Sequence, residues 1–156
     1  MEAPFTICTD SREQLAYRFD PVIDARGRRV RVPTVRRKLD AGDYSILGHE
    51  DEISIERKTL ADLYGTIGRG HQRFRREHER LRKYRHACVI IEATWGEILY
   101  SPPRHSKVSP GVALTMSQKW PLVFGVEWIA ADDRELAERI CYTRLLAYWN
   151  LHCKDR

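Results

Sequence analysis

The chain has 156 residues, the size of one domain and enough to bury a core, and its 42% hydrophobic and 31% charged composition excludes a disordered chain. No apolar run approaches the roughly 20 residues that span a bilayer, and Met-Glu-Ala-Pro at the start lacks the basic and apolar regions of a signal peptide; no membrane partner is expected, and the cytoplasm is the expected location. The net charge of +5 is locally clustered, which points to nucleic acid as partner, although on charge alone the basic runs read equally well as solvated faces.

Residues 5–9, Phe-Thr-Ile-Cys-Thr, are short, apolar and β-branched, then break into Asp10-Ser-Arg-Glu13, as a buried strand does at a sheet edge. Residues 14–30, with Pro21 and Gly27 among mixed charges, predict a short helix followed by a loop. Residues 31–38 alternate loosely, and Pro33 suits them to an edge strand. Residues 41–46 and 53–58 predict two adjacent strands joined by the polar turn 48–52. Thr59 is placed to cap a helix through Leu60, Leu63 and Ile67, after which Gly65, Gly68 and Gly70 loosen the chain. Over residues 71–85 the stripe Phe74, His78, Leu81, Tyr84 predicts a helix whose remaining surface is largely arginine.

Residues 87–93, Ala-Cys-Val-Ile-Ile-Glu-Ala, are a continuous apolar run fit for a central strand covered on both faces, with Glu92 near its end. Residues 94–109 hold Pro102, Pro103 and the basic trio Arg104, His105 and Lys107, and read as an exposed loop able to touch a partner. A helix is predicted over 112–120, a last strand over 126–130, and a long helix over 132–151 opened by acids. Interleaved strands and helices predict an α/β sandwich, a central mixed sheet flanked by helices. Cys8, Cys88, Cys141 and Cys153 form no CxxC pair and the six histidines show no ligand spacing, so neither a zinc site nor a redox motif is read; Cys8 and Cys88 look like buried thiols, and His78 like a packed or solvated residue.

The chemistry concentrates in Gly42-Asp43-Tyr44 and Ile55-Glu56-Arg57-Lys58. Two acids on neighbouring strands offer the hard oxygens that a magnesium ion takes, leaving positions for a phosphate oxygen and an attacking water. Glu56 and Lys58 are two apart and share a strand face, so the ammonium would sit beside that water; Arg57 points to the opposite face, where an acid such as Asp62 would pair with it. The whole stretch GDY…IERKTLAD resembles the GDx(n)ERKxxxD signature of the XPF family of structure-specific nucleases. Asp10-Ser-Arg-Glu13 looks like that family's DxRE element, and Ile90-Ile-Glu92 like its later IE strand.

The resemblance implies a single nuclease domain over residues 1–156 with a restriction-endonuclease-like PD-(D/E)xK core, similar to short stand-alone bacterial or phage forms. It implies Asp43 and Glu56 as metal ligands, Lys58 as the water-positioning base, Asp10 and Glu13 as further catalytic acids, and Arg57 and Asp62 in support. DNA contacts are expected from Arg12, Arg69, Arg73, Arg76 and Arg80, although Gly68-Arg69-Gly70-His71 departs from the family's glycine-arginine element. The implied cofactor is Mg2+, with Mn2+ as substitute, and no nucleotide cofactor is expected. The implied activity is endonucleolytic hydrolysis of DNA, with branched DNA as substrate in repair, recombination or phage DNA processing. A catalytically inactive DNA-binding scaffold and a nuclease of linear duplex or RNA are the alternatives. Tyr142, Tyr148 and Trp149 on the last helix exceed one buried face, so they either support a homodimer or finish the monomer's core.

Overall fold

A computed structural model describes residues 1–154 of the chain. Its elements run β1 (Ile7–Asp10), β2 (Val22–Ile23), β3 (Arg29–Val30), β4 (Thr34–Arg37), β5 (Tyr44–Ile46), β6 (Ile53–Thr59), α1 (Leu60–Ile67), α2 (His71–Leu81), β7 (His86–Glu92), α3 (Trp95–Tyr100), α4 (Pro110–Phe124), β8 (Glu127–Ala130) and α5 (Arg134–His152). Six strands form one mixed sheet in the order β4-β1-β5-β6-β7-β8, and β2 and β3 pair separately. β5 is antiparallel to both β1 and β6, whereas β6, β7 and β8 are mutually parallel. This is the flanked mixed sheet that the interleaved pattern predicts.

The two-residue side-chain period sorts β7 between two apolar layers. Cys88 and Ile90 face α5 together with Tyr44, Ile53 and Ile55; Val89 and Ile91 face the other side with Leu63, Phe74, Trp120 and Trp128. On that second side His78 is fully buried, with its Nε2 accepting the Trp128 indole N–H at 2.9 Å. It is a packing residue, and burial lowers its pKa to about 4, keeping it neutral.

Two stretches differ from the sequence expectation. Residues 14–30 hold no helix: Tyr17 and Phe19 turn inward against Tyr44, stacked at 5.0 Å and edge-on at 5.5 Å, and the β2–β3 pair follows. Tertiary aromatic packing prevails there over a weak local preference. Residues 94–109 are not wholly loop, since Thr94 and Glu97 make a reciprocal capping box that starts α3 before the prolines. The aromatic surplus of α5 is taken up internally: Tyr142 and Trp149 pack on Phe5, and the Tyr148 hydroxyl donates to Glu52.

Gly42 fixes the backbone immediately before Asp43. Its φ of +73° is left-handed, and an added Cβ would lie 2.1 Å from Ser54 Oγ, whose hydroxyl donates to the Ala41 carbonyl. Gly42→Ala therefore combines left-handed strain with a clash against a hydrogen-bonded side chain, and should cost at least about 2 kcal/mol in urea denaturation.

Candidate active site

β6 carries the site because its alternation places Glu56 and Lys58 on the α1–α2 side while Ile53, Ile55 and Arg57 go to the α5 side. Asp43 reaches the same corner from the β5 end. Its N–H donates to the Ile55 carbonyl at 2.8 Å, and its Oδ2 accepts the Arg57 backbone N–H at 2.8 Å. Lys58 Nζ lies 3.3 Å from Glu56 Oε1 and 4.6 Å from the centre of the Phe74 ring. A carboxylate and an aromatic face together aim that ammonium.

These groups open on a cavity of about 860 Å3 lined also by Asp10, Glu13 and Glu77. Asp10 is buried. Burial pushes its carboxyl upward, but hydrogen bonds from the Arg12 guanidinium at 2.9 Å and the Leu39 N–H at 2.9 Å outweigh that and hold it below its ordinary range. Glu13 stands between the cavity and Arg57, 3.4 Å from its Nη1.

Arg57 does face away from Glu56, as its strand position requires, but its partner is Glu92 and not Asp62. Arg57 Nε meets Glu92 Oε1 at 2.5 Å, and the same carboxylate accepts the Tyr17 hydroxyl at 3.0 Å. Asp62 is on the other side of the sheet in the first turn of α1, closing a capping box with Thr59. It lines the cavity edge without touching Arg57.

Of the arginines expected at DNA, Arg73 and Arg80 line the main cavity and Arg12 sits on its rim, while Arg69 lies in an adjoining recess. Arg76 is exposed on α2 outside that lining. Glu77 was not singled out from the sequence. Its Oε1 accepts the Gly42 N–H at 2.8 Å, tying α2 to the turn that carries Asp43. The signal was one helical turn away: Glu77 follows Phe74 by three and joins its inward stripe.

Asp43, half-buried, and Glu56, buried, form an acid pair with the single ammonium of Lys58 beside it. Burial first, then the Glu56 carboxylate, pushes Asp43 well above the ordinary range; burial raises Glu56 to about 7, with Lys58 opposing. Such a pair fits a hard divalent cation. Among the described residues no cluster of three or more acid, histidine or cysteine side chains is set to hold a metal.

The same shift sets a pH dependence without metal. Between pH 4.5 and about 7 the folded chain holds the Glu56 proton more tightly than the unfolded chain does. The resulting stabilisation, of order 3 kcal/mol, is full below the unfolded value and is lost as pH rises through the folded one. Urea denaturation in EDTA should show a smaller loss in Glu56→Gln than in the parent, the remainder coming from Asp43, which burial alone still raises.

The ERCC4 domain model matches residues 9–145. Two solved structures share the fold: XPF from Aeropyrum pernix, at 20% identity and a TM-score of 0.62, covering 95% of this chain and 61% of that one; and XPF from Aeropyrum pernix in complex with DNA, at 21% and 0.60, covering 97% and 66%. The chain thus spans less than two thirds of those archaeal chains. No curated protein matches it. Among the described residues no helix is long and apolar enough to cross a membrane. With most of its length matched, the chain belongs to the ERCC4 domain family, that of the XPF-type DNA nucleases.

Proposed function

We propose that the chain is a magnesium-dependent endonuclease that hydrolyses phosphodiester bonds in branched DNA, acting as one nuclease domain. The observation that carries this reading is the corner where Asp43 and Glu56 converge beside Lys58 in a solvent-open cavity. The divalent cation held by those two carboxylates would neutralise phosphate charge and lower the pKa of the attacking water. Lys58 Nζ orients that water by donating to it, and its aim is fixed by Glu56 and the Phe74 face. The Arg57 N–H fixes the Asp43 carboxylate, while Asp10 and Glu13 set the charge of the cavity wall. Arg73, which lines the cavity and is in no ion pair among the described residues, suits a phosphate beside the cut. The DNA bound to the archaeal relative supports the choice of nucleic acid.

Incubation with labelled flap, fork, four-way junction, linear duplex, single-stranded DNA and RNA, in magnesium, manganese or EDTA, tests the proposal. Metal-dependent internal cuts in the branched substrates are expected. Tight binding without cutting would favour the scaffold reading, and equal cutting of duplex or RNA would remove the branched specificity.

A further inference from the structure

Two recesses continue the main cavity along α1. The first, of about 550 Å3, shares Lys58, Asp62, Thr66 and Arg73 with the cavity; the second, of about 510 Å3, shares Ala61, Gly65 and Arg69 with the first and ends at the loop around Arg104 and Lys107. The floor is helix backbone at Gly65, where an added Cβ would meet nothing within 4 Å. The loop is held as the far wall by Val108, which packs so closely on Gly68 that a Cβ there would lie 2.9 Å from it.

Charge runs one way along this groove. Arg69, Arg73, Arg104 and Lys107 are exposed, and none of them is in an ion pair among the described residues. The one acid of the lining is Asp62, whose carboxylate is engaged at the Thr59 N–H. On the opposite side of the cavity the cations are already neutralised, Arg12 by Asp10 at 2.9 Å and Arg80 by Glu77 at 2.7 Å. Uncompensated positive charge therefore leads away from the acid corner in a single direction.

We propose that this groove takes one single strand of DNA leading from the cleaved phosphate, held by its backbone between α1 and the loop of Arg104 and Lys107. The inference rests on the nuclease reading and adds to it the path of the substrate. Of the aromatic rings lining the groove, Tyr64 is buried with its hydroxyl donating to the Ile98 carbonyl, which leaves the His105 imidazole as the one exposed ring for base stacking among the described residues. Binding is thus expected through phosphates and independent of base sequence. The two recesses follow one another along α1 with cations from α1, α2 and the loop along them, an arrangement that suits the single backbone of one strand.

The test has two readouts, and the first needs no cutting. In EDTA, anisotropy of labelled oligothymidylate and oligodeoxyadenylate should show equal binding to the parent. Replacing two phosphate contacts in Arg104→Ala/Lys107→Ala should reduce the slope of log affinity against log salt by about 1.4. Gly65→Leu, whose Cβ meets nothing within 4 Å and whose side chain extends over the floor, should weaken binding severalfold. In magnesium, a branched substrate with a single-stranded extension on one side of the cut should be cleaved faster than one without it, and both variants should bring that ratio towards one. The proposal is overturned if the variants keep the parent's salt slope and affinity, or if linear duplex competes as well as the single strand. A parent that binds the strand through these residues yet cuts nothing would defeat the nuclease reading alone.

Discussion

Asp43→Asn and Lys58→Met should each cleave branched DNA at least about 10^3-fold more slowly than the parent while binding it in EDTA with similar affinity. The magnitude follows from what each group supplies: several kcal/mol of charge stabilisation from a ligand to the cation, and positioning of the nucleophile from the ammonium. Asn keeps the Oδ atom that accepts the Arg57 N–H, so the turn remains in place while the charge is lost. Lys58→Met keeps the stem against Phe74 and removes only the ammonium. Single-turnover cleavage and anisotropy, measured on the same preparations, separate chemistry from binding. Variants that cut at the parent's rate would show that the corner is not where hydrolysis occurs.

The largest loss of stability is expected on the opposite face of β6. Glu92→Ala leaves the Arg57 guanidinium, only 7% exposed, without its principal partner and also strips the Tyr17 hydroxyl of its acceptor. Breaking a buried pair from one side costs about 3–5 kcal/mol, which for a domain of this size lowers Tm by roughly 10 °C. Glu13 at 3.4 Å and Tyr17, whose ring lies 5.4 Å from the guanidinium carbon, offset a fraction of that cost. Arg57→Ala in the same background should recover part of the loss because it removes the uncompensated charge. Calorimetry of the two single variants and the double variant gives the coupling directly. A double variant no better than Glu92→Ala would mean that the cluster contributes through packing and not through charge.

Both effects trace to one alternation along β6, and that alternation was legible in the sequence. Ile53, Ile55 and Arg57 go one way and Ser54, Glu56 and Lys58 the other, so the separation of Arg57 from the acid corner follows from strand period alone. The partner of Arg57 did not follow. Asp62 is near in sequence, but it caps α1 on the wrong side of the sheet; Glu92 arrives through parallel pairing of β6 with β7, which sets Thr59 opposite Glu92. A parallel register is joined through a long crossover, and no local pattern reports it.

The same limit explains Glu77 and Tyr17. α2 reads as a basic helix because arginines dominate its exposed side, yet the flank of its apolar stripe turns one acid inward to the Gly42 N–H. Tyr17 and Phe19 lie in a stretch with no period of its own, and they pack on Tyr44, which β5 holds beside β1 from a distant part of the chain. The capping box at Thr94 and Glu97 was visible in the letters, but the prolines after it drew the whole segment towards loop.

Anomalous diffraction from crystals grown in manganese tests the central claim most directly. The account predicts a single strong peak between the carboxylates of Asp43 and Glu56, near Lys58, which disappears in Asp43→Asn. A cation bound elsewhere in the cavity, or none at that corner at saturating manganese, would contradict it.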